Sequence, residues 1–300
     1  MIKTGGNWNP EAWPIYFIAS EPKTLAHANT VNRHLLVAVN EIHTDEHFDM
    51  LDTFIANGCD VFIDSGVYNL ATEHAHAHRM SMDRALSLAP DDIDGFTDLF
   101  DKYVSIVRRM GDQVWGYIEI DQGGRDNKIR TRTKLEELGL RPVPVYHPFN
   151  DGWDYFDYLA ERYDRICFGN VVQADIESRR RLVATAWERR RKYPKLWIHA
   201  LGLTASEMTI AWPLNSCDSS TWLAAVRWGR HFATVANKRC WHIGSGFNYL
   251  PSEQRDAPMG HQKSRTMCGY EAHFVTRTMK QIIEESRQAV GADPTGAFHE

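Results

Sequence analysis

Eight short apolar runs recur along the chain, separated by longer segments of helical period, and this alternation restricts the fold more than any other feature. The runs are IYFIA (15–19), LLVAV (35–39), VFID (61–64), VWGYIEID (114–121), VPVYH (143–147), RICFG (165–169), LWIHA (196–200) and LNSCD (214–218). The last is the most polar and reads as a strand chiefly from its place in the series. Between them, DEHFDMLDTFIANG, DGFTDLFDKYVSIVRRMG, IRTRTKLEELGL, WDYFDYLAERY, SRRRLVATAWERRRKY and STWLAAVRWG place apolar residues at helical spacing, several ending on a glycine. Such repetition predicts a parallel sheet with helices outside it. Eight units predict an α/β chain closed as a (β/α)8 TIM barrel. An open doubly wound sheet is the alternative, but no GxGxxG follows the first run.

A chain of 300 residues suits one such barrel, so 1–300 reads as a single domain. The alternation stops after Gly229. Residues 230–270 are rich in Gly, Pro, His, Arg and Cys, and an amphipathic stretch, YEAHFVTRTMKQIIEESRQAV, follows. Residues 230–290 therefore form a C-terminal subregion: an irregular segment and a closing helix. The formal net charge of −5 argues against a protein that coats DNA through general positive charge, but leaves local basic patches open. The start, MIKTGGNWNPEAW, lacks the apolar core of a signal peptide, and no apolar run would span a bilayer, so a cytoplasmic protein is expected. Five scattered cysteines, an odd count, do not form a disulfide framework.

The ends of the strands carry the chemistry. In a barrel of this kind the active site lies where the strands end. The third run delivers Asp64-Ser65-Gly66, the fourth Asp121, the fifth His147, the sixth Gly169-Asn170, the seventh His199 with Gly202 beyond, and the eighth Asp218-Ser219-Ser220. A single Asp in such a place most simply caps the next helix. Three, each beside small residues, indicate a site. One carboxylate can attack carbon while another moves protons, and an anionic rim stabilises an oxocarbenium-like charge. Chemistry at an anomeric carbon is the reading these residues support.

FIDSG at the end of the third strand resembles the DSGGF signature of tRNA-guanine transglycosylases. FGN (168–170) resembles that family's Gly-Gly-Leu turn, HALGL (199–203) its strand-seven glycine segment, and SCDSS (216–220) the place of its nucleophilic aspartate. The chain departs from the family at Val67 and Tyr68, which replace the second glycine and its neighbour, and in lacking a Cys-x-Cys-x-x-Cys run. Its small size and the DSS-W ending of strand eight look closer to the DNA 7-deazaguanine transglycosylases of bacteria and their phages. That branch replaces guanine in DNA with a 7-deazaguanine base such as preQ0.

The resemblance implies roles. Asp218 would attack C1′ of deoxyguanosine, and Asp64 would serve as general acid and base. Asp121 would read the Watson–Crick edge of the base. Gly169 and Asn170 would contact its exocyclic oxygen, Ser65, Gly66, His199 and Gly202 would line the pocket, and Tyr68 or another aromatic would stack. The partners implied are DNA, or tRNA as the alternative polymer, a free guanine or 7-deazaguanine base, and a helper protein that opens the duplex. The setting is the cytoplasm of a bacterium or phage-infected host.

A structural Zn2+ is also implied, held by Cys240, His242, Cys268 and His273, with His261 able to replace one of them. Spacing alone does not distinguish this set from unconnected Cys and His. Of the basic stretches, 178–195 reads as the solvated face of an outer helix, while 227–239 and 261–265 are better placed to meet phosphate. The run EHAHAHR (73–79) reads as a polar loop, although alternating histidines on an extended segment would face one way and suit a metal. Two further readings stay open: a metal-dependent barrel hydrolase using His147 and His199 with Asp218 and histidines of the HAHAH run, and a non-catalytic nucleic-acid-binding subunit.

Overall fold

The apolar runs become strands, and the strands form one sheet. In the computed structural model, residues 1–4, 15–204, 212 and 214–223 are described, with the backbone of 233–234 and 241–242. The strands are β1 (Ile15–Ala19), β2 (His34–Ala38), β3 (Asp60–Asp64), β4 (Gly116–Tyr117), β5 (Val145–Tyr146), β6 (Arg165–Phe168), β7 (Trp197–Ala200) and β8 (Ser216–Ser219). Their order is β4-β3-β2-β1-β8-β7-β6-β5. The two ends of that order meet through the parallel bridge Ile118↔Val143. There Val143 N–H donates to Tyr117 O (2.8 Å) and Glu119 N–H donates to Val143 O (3.0 Å). The ring is therefore closed, and with helices between the strands the fold is a (β/α)8 TIM barrel.

The helices are α1 (Pro22–Leu25), α2 (Asp45–Ala56), α3 (Val67–Ala77), α4 (Met82–Ser87), α5 (Phe96–Met110), α6 (Gly124–Glu137), α7 (Trp153–Arg162) and α8 (Ile176–Arg190). Side chains cap several of them: Thr44 accepts from His47 N–H, Ser81 from Arg84 N–H, and Asp175 from Glu177 and Ser178 N–H. A short antiparallel ladder, Ala233–Thr234 with Trp241–His242, follows the barrel strands.

Three sequence expectations change. The fourth and fifth runs yield strands of only two residues, because Pro144 has no N–H to give a ladder and the Val145 N–H goes to the Glu119 side chain (2.6 Å) instead. Helix α6 starts at Gly124, five residues before the expected Ile129. The 73–79 stretch is not a loop. α3 runs through Ala77 because Leu70, Ala71, His74 and Ala75 form a buried stripe at helical spacing. The closing helix and the 261–265 basic stretch lie outside the described residues, as does the 227–239 stretch apart from the backbone of 233–234. So does most of STWLAAVRWG, of which Thr221–Leu223 forms a 3-10 turn.

The chain divides into two compact units. In the first, Leu36–Gly169, Phe62 packs edge-on against Trp115 (4.8 Å) and Tyr146 edge-on against Phe156 (5.4 Å). Its core also holds Arg165, fully buried, with the guanidinium over Trp115 (4.2 Å) and bonded to Trp115 O (2.7 Å). A Cβ on Gly116 would stand 2.7 Å from that guanidinium, so β4 needs glycine there. In the second unit, which holds β1, β7, β8 and α8, Trp197 and Trp222 are fully buried. There the Tyr16 hydroxyl lies 2.6 Å from Ser219 Oγ.

Candidate active-site acids at the strand ends

Each of the three candidate acids stands at or just past the C-terminal end of its strand, and each is held differently. Asp218 lies on β8, 7 % exposed. Its Oδ1 accepts from His199 Nε2 (3.0 Å) and from Gly202 N–H (2.9 Å). Oδ2 makes no hydrogen bond among the described residues. The register of the parallel strands sets this up, since His199 pairs with Ser216 across β7 and β8. Ser216 Oγ lies 2.8 Å from His199 Nδ1 and 2.8 Å from Trp197 Nε1. The indole N–H can only donate, so Ser216 Oγ accepts from it. The Asp218 carboxylate can only accept, so the His199 ring presents its Nε2–H to Asp218. Phe17 packs edge-on against the same ring (5.6 Å), and the imidazole is 1 % exposed. Gly202 reaches Asp218 with φ +69°, where a Cβ would stand 2.8 Å from Val172 Cγ2.

Asp121 forms a second pair. Its Oδ2 lies 2.9 Å from His147 Nε2. Burial pushes the Asp121 carboxyl up, but the hydrogen bond and charge of His147, with the charge of Lys128, outweigh burial and hold it below the ordinary carboxylate range. His147 is itself anchored, its N–H donating to Asp151 Oδ2 (2.7 Å). The same Asp151 oxygen takes the fully buried Lys128 ammonium (2.5 Å), which also donates to Val145 O (3.0 Å). Gly169 lies against the His147 ring: a Cβ there would stand 3.0 Å from its Cδ2.

Asp64 ends β3. Its Oδ2 accepts from Gly66 N–H (3.2 Å), closing the turn into α3, while the helix's N-cap position is Gly66 itself, without a side-chain cap. Gly66 has φ +80°, and a Cβ on it would fall 1.5 Å from Asn40 Oδ1, so only glycine fits. Asn40 Oδ1 is buried without a hydrogen-bond partner among the described residues. Ser65 is buried (2 %), and Tyr68 is 62 % exposed at the start of α3. Asn170 follows β6 with φ +60° and also has a buried Oδ1 with no hydrogen-bond partner among the described residues.

Of the sequence-predicted residues, His199 and Gly202 are gathered onto Asp218, Gly169 lies beside the His147 that holds Asp121, and Gly66 bonds Asp64. Cys240, Cys268 and His273, and the side chain of His242, lie outside the described residues. Sequence reasoning missed Trp197, Ser216, Lys128, Asp151 and Asn40. No sequence pattern marks them: Trp197 and Ser216 emerge from strand register, and Lys128, Asp151 and Asn40 from tertiary packing.

No protein-family model matches the chain, and no curated protein matches it. Among solved structures it is similar to a mutant flavocytochrome b2 with benzoylformate, at 12 % identity and a TM-score of 0.47, over 90 % of this chain and 65 % of that one. A doubly substituted flavocytochrome b2 with sulfite bound matches at 11 % identity and a TM-score of 0.48, over 94 % and 72 %. CdNal from Clostridium difficile in complex with mannosamine matches at 12 % identity and a TM-score of 0.35, over 92 % and 81 %. The first match spans just under two thirds of its partner's length. None of these three reaches a TM-score of 0.5.

Proposed function

We propose that the chain is an enzyme that exchanges guanine in DNA for a 7-deazaguanine base through a covalent ester between Asp218 and the sugar. The observation that carries this reading is the state of the Asp218 carboxylate. Two donors hold Oδ1, which fixes the group's orientation, and Oδ2 is left for attack. A carboxylate held in this way has little rotational freedom left to surrender in the transition state.

In the first half-reaction Asp218 Oδ2 bonds to C1′ as the C1′–N9 bond breaks, and Asp64 gives a proton to the departing guanine. In the second, Asp64 as carboxylate takes the N9 proton of the incoming base, N9 bonds to C1′, and the ester C–O bond breaks. Asp121, oriented by His147, accepts from guanine N1–H and N2–H2. His199 serves as a positioning residue for Asp218. The target base must leave the duplex, at about a few kcal/mol, and phosphate contacts offset this. The zinc set expected at Cys240, His242, Cys268 and His273 plays no part in these steps.

A base-exchange assay with labelled guanine tests the proposal, offered with duplex DNA, single-stranded DNA or tRNA. Wild type should label DNA, and Asp218→Ala should lower the rate by about 10⁴-fold or more. Asp64→Ala should lower it by about 10²–10⁴-fold. Label entering tRNA instead keeps the chemistry and changes the polymer. No label in any polymer overturns the reading.

A further inference from the structure

We propose that His74, His78 and Asp94 form a binding site for a divalent transition-metal ion, independent of the strand-end acids. The three side chains come from two segments. His74 and His78 lie four residues apart at the C-terminal end of α3, so their rings share a face, 4.2 Å between centroids. Asp94 sits in the turn before α5. Its Oδ2 lies 2.6 Å from His78 Nε2 and 3.3 Å from His74 Nδ1. One nitrogen or oxygen from each of the three falls within 4.8 Å of the others.

The fold holds this geometry. Ile93 is buried (4 %). Gly95, at φ +79°, lets the turn pass so close to α3 that a Cβ would stand 3.2 Å from Leu70 Cδ1. Asp94 N–H donates to His74 Nδ1 (3.1 Å), which requires a lone pair on that nitrogen and therefore the hydrogen on Nε2. His74 is thus already in the tautomer that a metal needs at Nδ1. An ion would replace the hydrogen between His78 and Asp94 and draw Nδ1 from the Asp94 N–H.

The donor set sorts the candidates. Two imidazoles and one carboxylate suit Zn2+, Co2+, Ni2+ or Cu2+, and are poor for Mg2+ or Ca2+, which take oxygen. The position adds to this, because the end of a helix carries partial negative charge that favours a cation. His74 is buried at 5 %, while the His78 and Asp94 side chains are 47 % and 73 % exposed. One wall is therefore fixed, the other two ligands can adjust, and coordination positions remain for water or an external ligand.

The full chain would be titrated with Co2+ alone, following ligand-field absorption and bound metal by equilibrium dialysis. His78→Gln and Asp94→Asn are the informative variants, since both residues are exposed and their loss leaves the buried stripe of α3 intact, which thermal melts would verify. Wild type should bind one equivalent more than either variant, or bind that equivalent at least about tenfold more tightly. This equivalent should lack the near-ultraviolet thiolate band that an ion at Cys240 or Cys268 would give. Equal stoichiometry and affinity in wild type and both variants would overturn the site, as would a thiolate band on every bound equivalent.

Discussion

At the scale of single residues, the strand-end acids differ in what holds them, and this difference can be measured. Asp121 is kept ionised by His147 against the cost of its own burial. The sign follows from that balance. The folded chain holds Asp121 as carboxylate in a range where the unfolded chain already takes up a proton. The pair's contribution is therefore complete above the unfolded value and fades as pH falls through the folded one. His147→Gln keeps an amide donor but removes the positive charge, while the burial remains. The Asp121 carboxyl should titrate at higher pH in this variant, followed by ¹³C NMR of the labelled side chain, and the acid limb of unfolding should move upward with it. Titration unchanged from wild type would show that His147 does not set the Asp121 charge. Sequence alone located Asp121 and His147 but not their bond, because the residues lie 26 positions apart and are joined only where β4 and β5 come together.

At the scale of elements, β4 and β5 depart furthest from sequence expectation, and Glu119 is the reason. A period-2 strand pattern reads Glu119 as a residue within a long strand, but its fully buried carboxylate takes the Val145 N–H and pairs with Arg132 (2.8 Å). Arg132 also donates to Tyr155 Oη (3.1 Å) from α6. Burial pushes the Glu119 carboxyl up, and the charges of Arg132 and Lys128 work against that without cancelling it. Arg132→Met should therefore cost about 3–5 kcal/mol in urea unfolding at neutral pH, because it leaves a buried carboxylate unpaired. The loss should shrink in acid. Without Arg132 the folded-state value of Glu119 rises further, so stability falls as pH rises through it, and below it the group is protonated and uncharged. The regular elements were legible in sequence because one buried stripe or strand run defines each. The junctions were not, because they depend on side chains that replace backbone partners.

At the scale of the whole molecule, the first residues are tied to a strand some 160 positions away. Ile2 bridges to Tyr163, and Thr4 donates through its N–H and its hydroxyl to Asp164 Oδ1, both at 3.0 Å. Thr4 also accepts from Arg165, through Oγ1 (3.1 Å) and through its carbonyl. Arg165 is the reason this contact matters. Burial pushes its guanidinium down to about 10, the nearby Asp164 charge opposing the shift. A cation so buried opposes folding at neutral pH unless its N–H groups find acceptors. Thr4 supplies two of them and Trp115 O supplies another. Nothing in the sequence marks MIKT as structural: it is short, polar at its end, and far from its partner. Deleting residues 1–4 removes both Thr4 acceptors and the donors to Asp164, and should lower stability by about 2–4 kcal/mol. Thr4→Ala keeps the backbone carbonyl and N–H, and so should lose about 1 kcal/mol. Parallel urea titrations of the three chains check the order: wild type, then Thr4→Ala, then the deletion. Equal midpoints for all three would mean that Arg165 finds its acceptors elsewhere and that the N-terminal segment contributes nothing to the barrel.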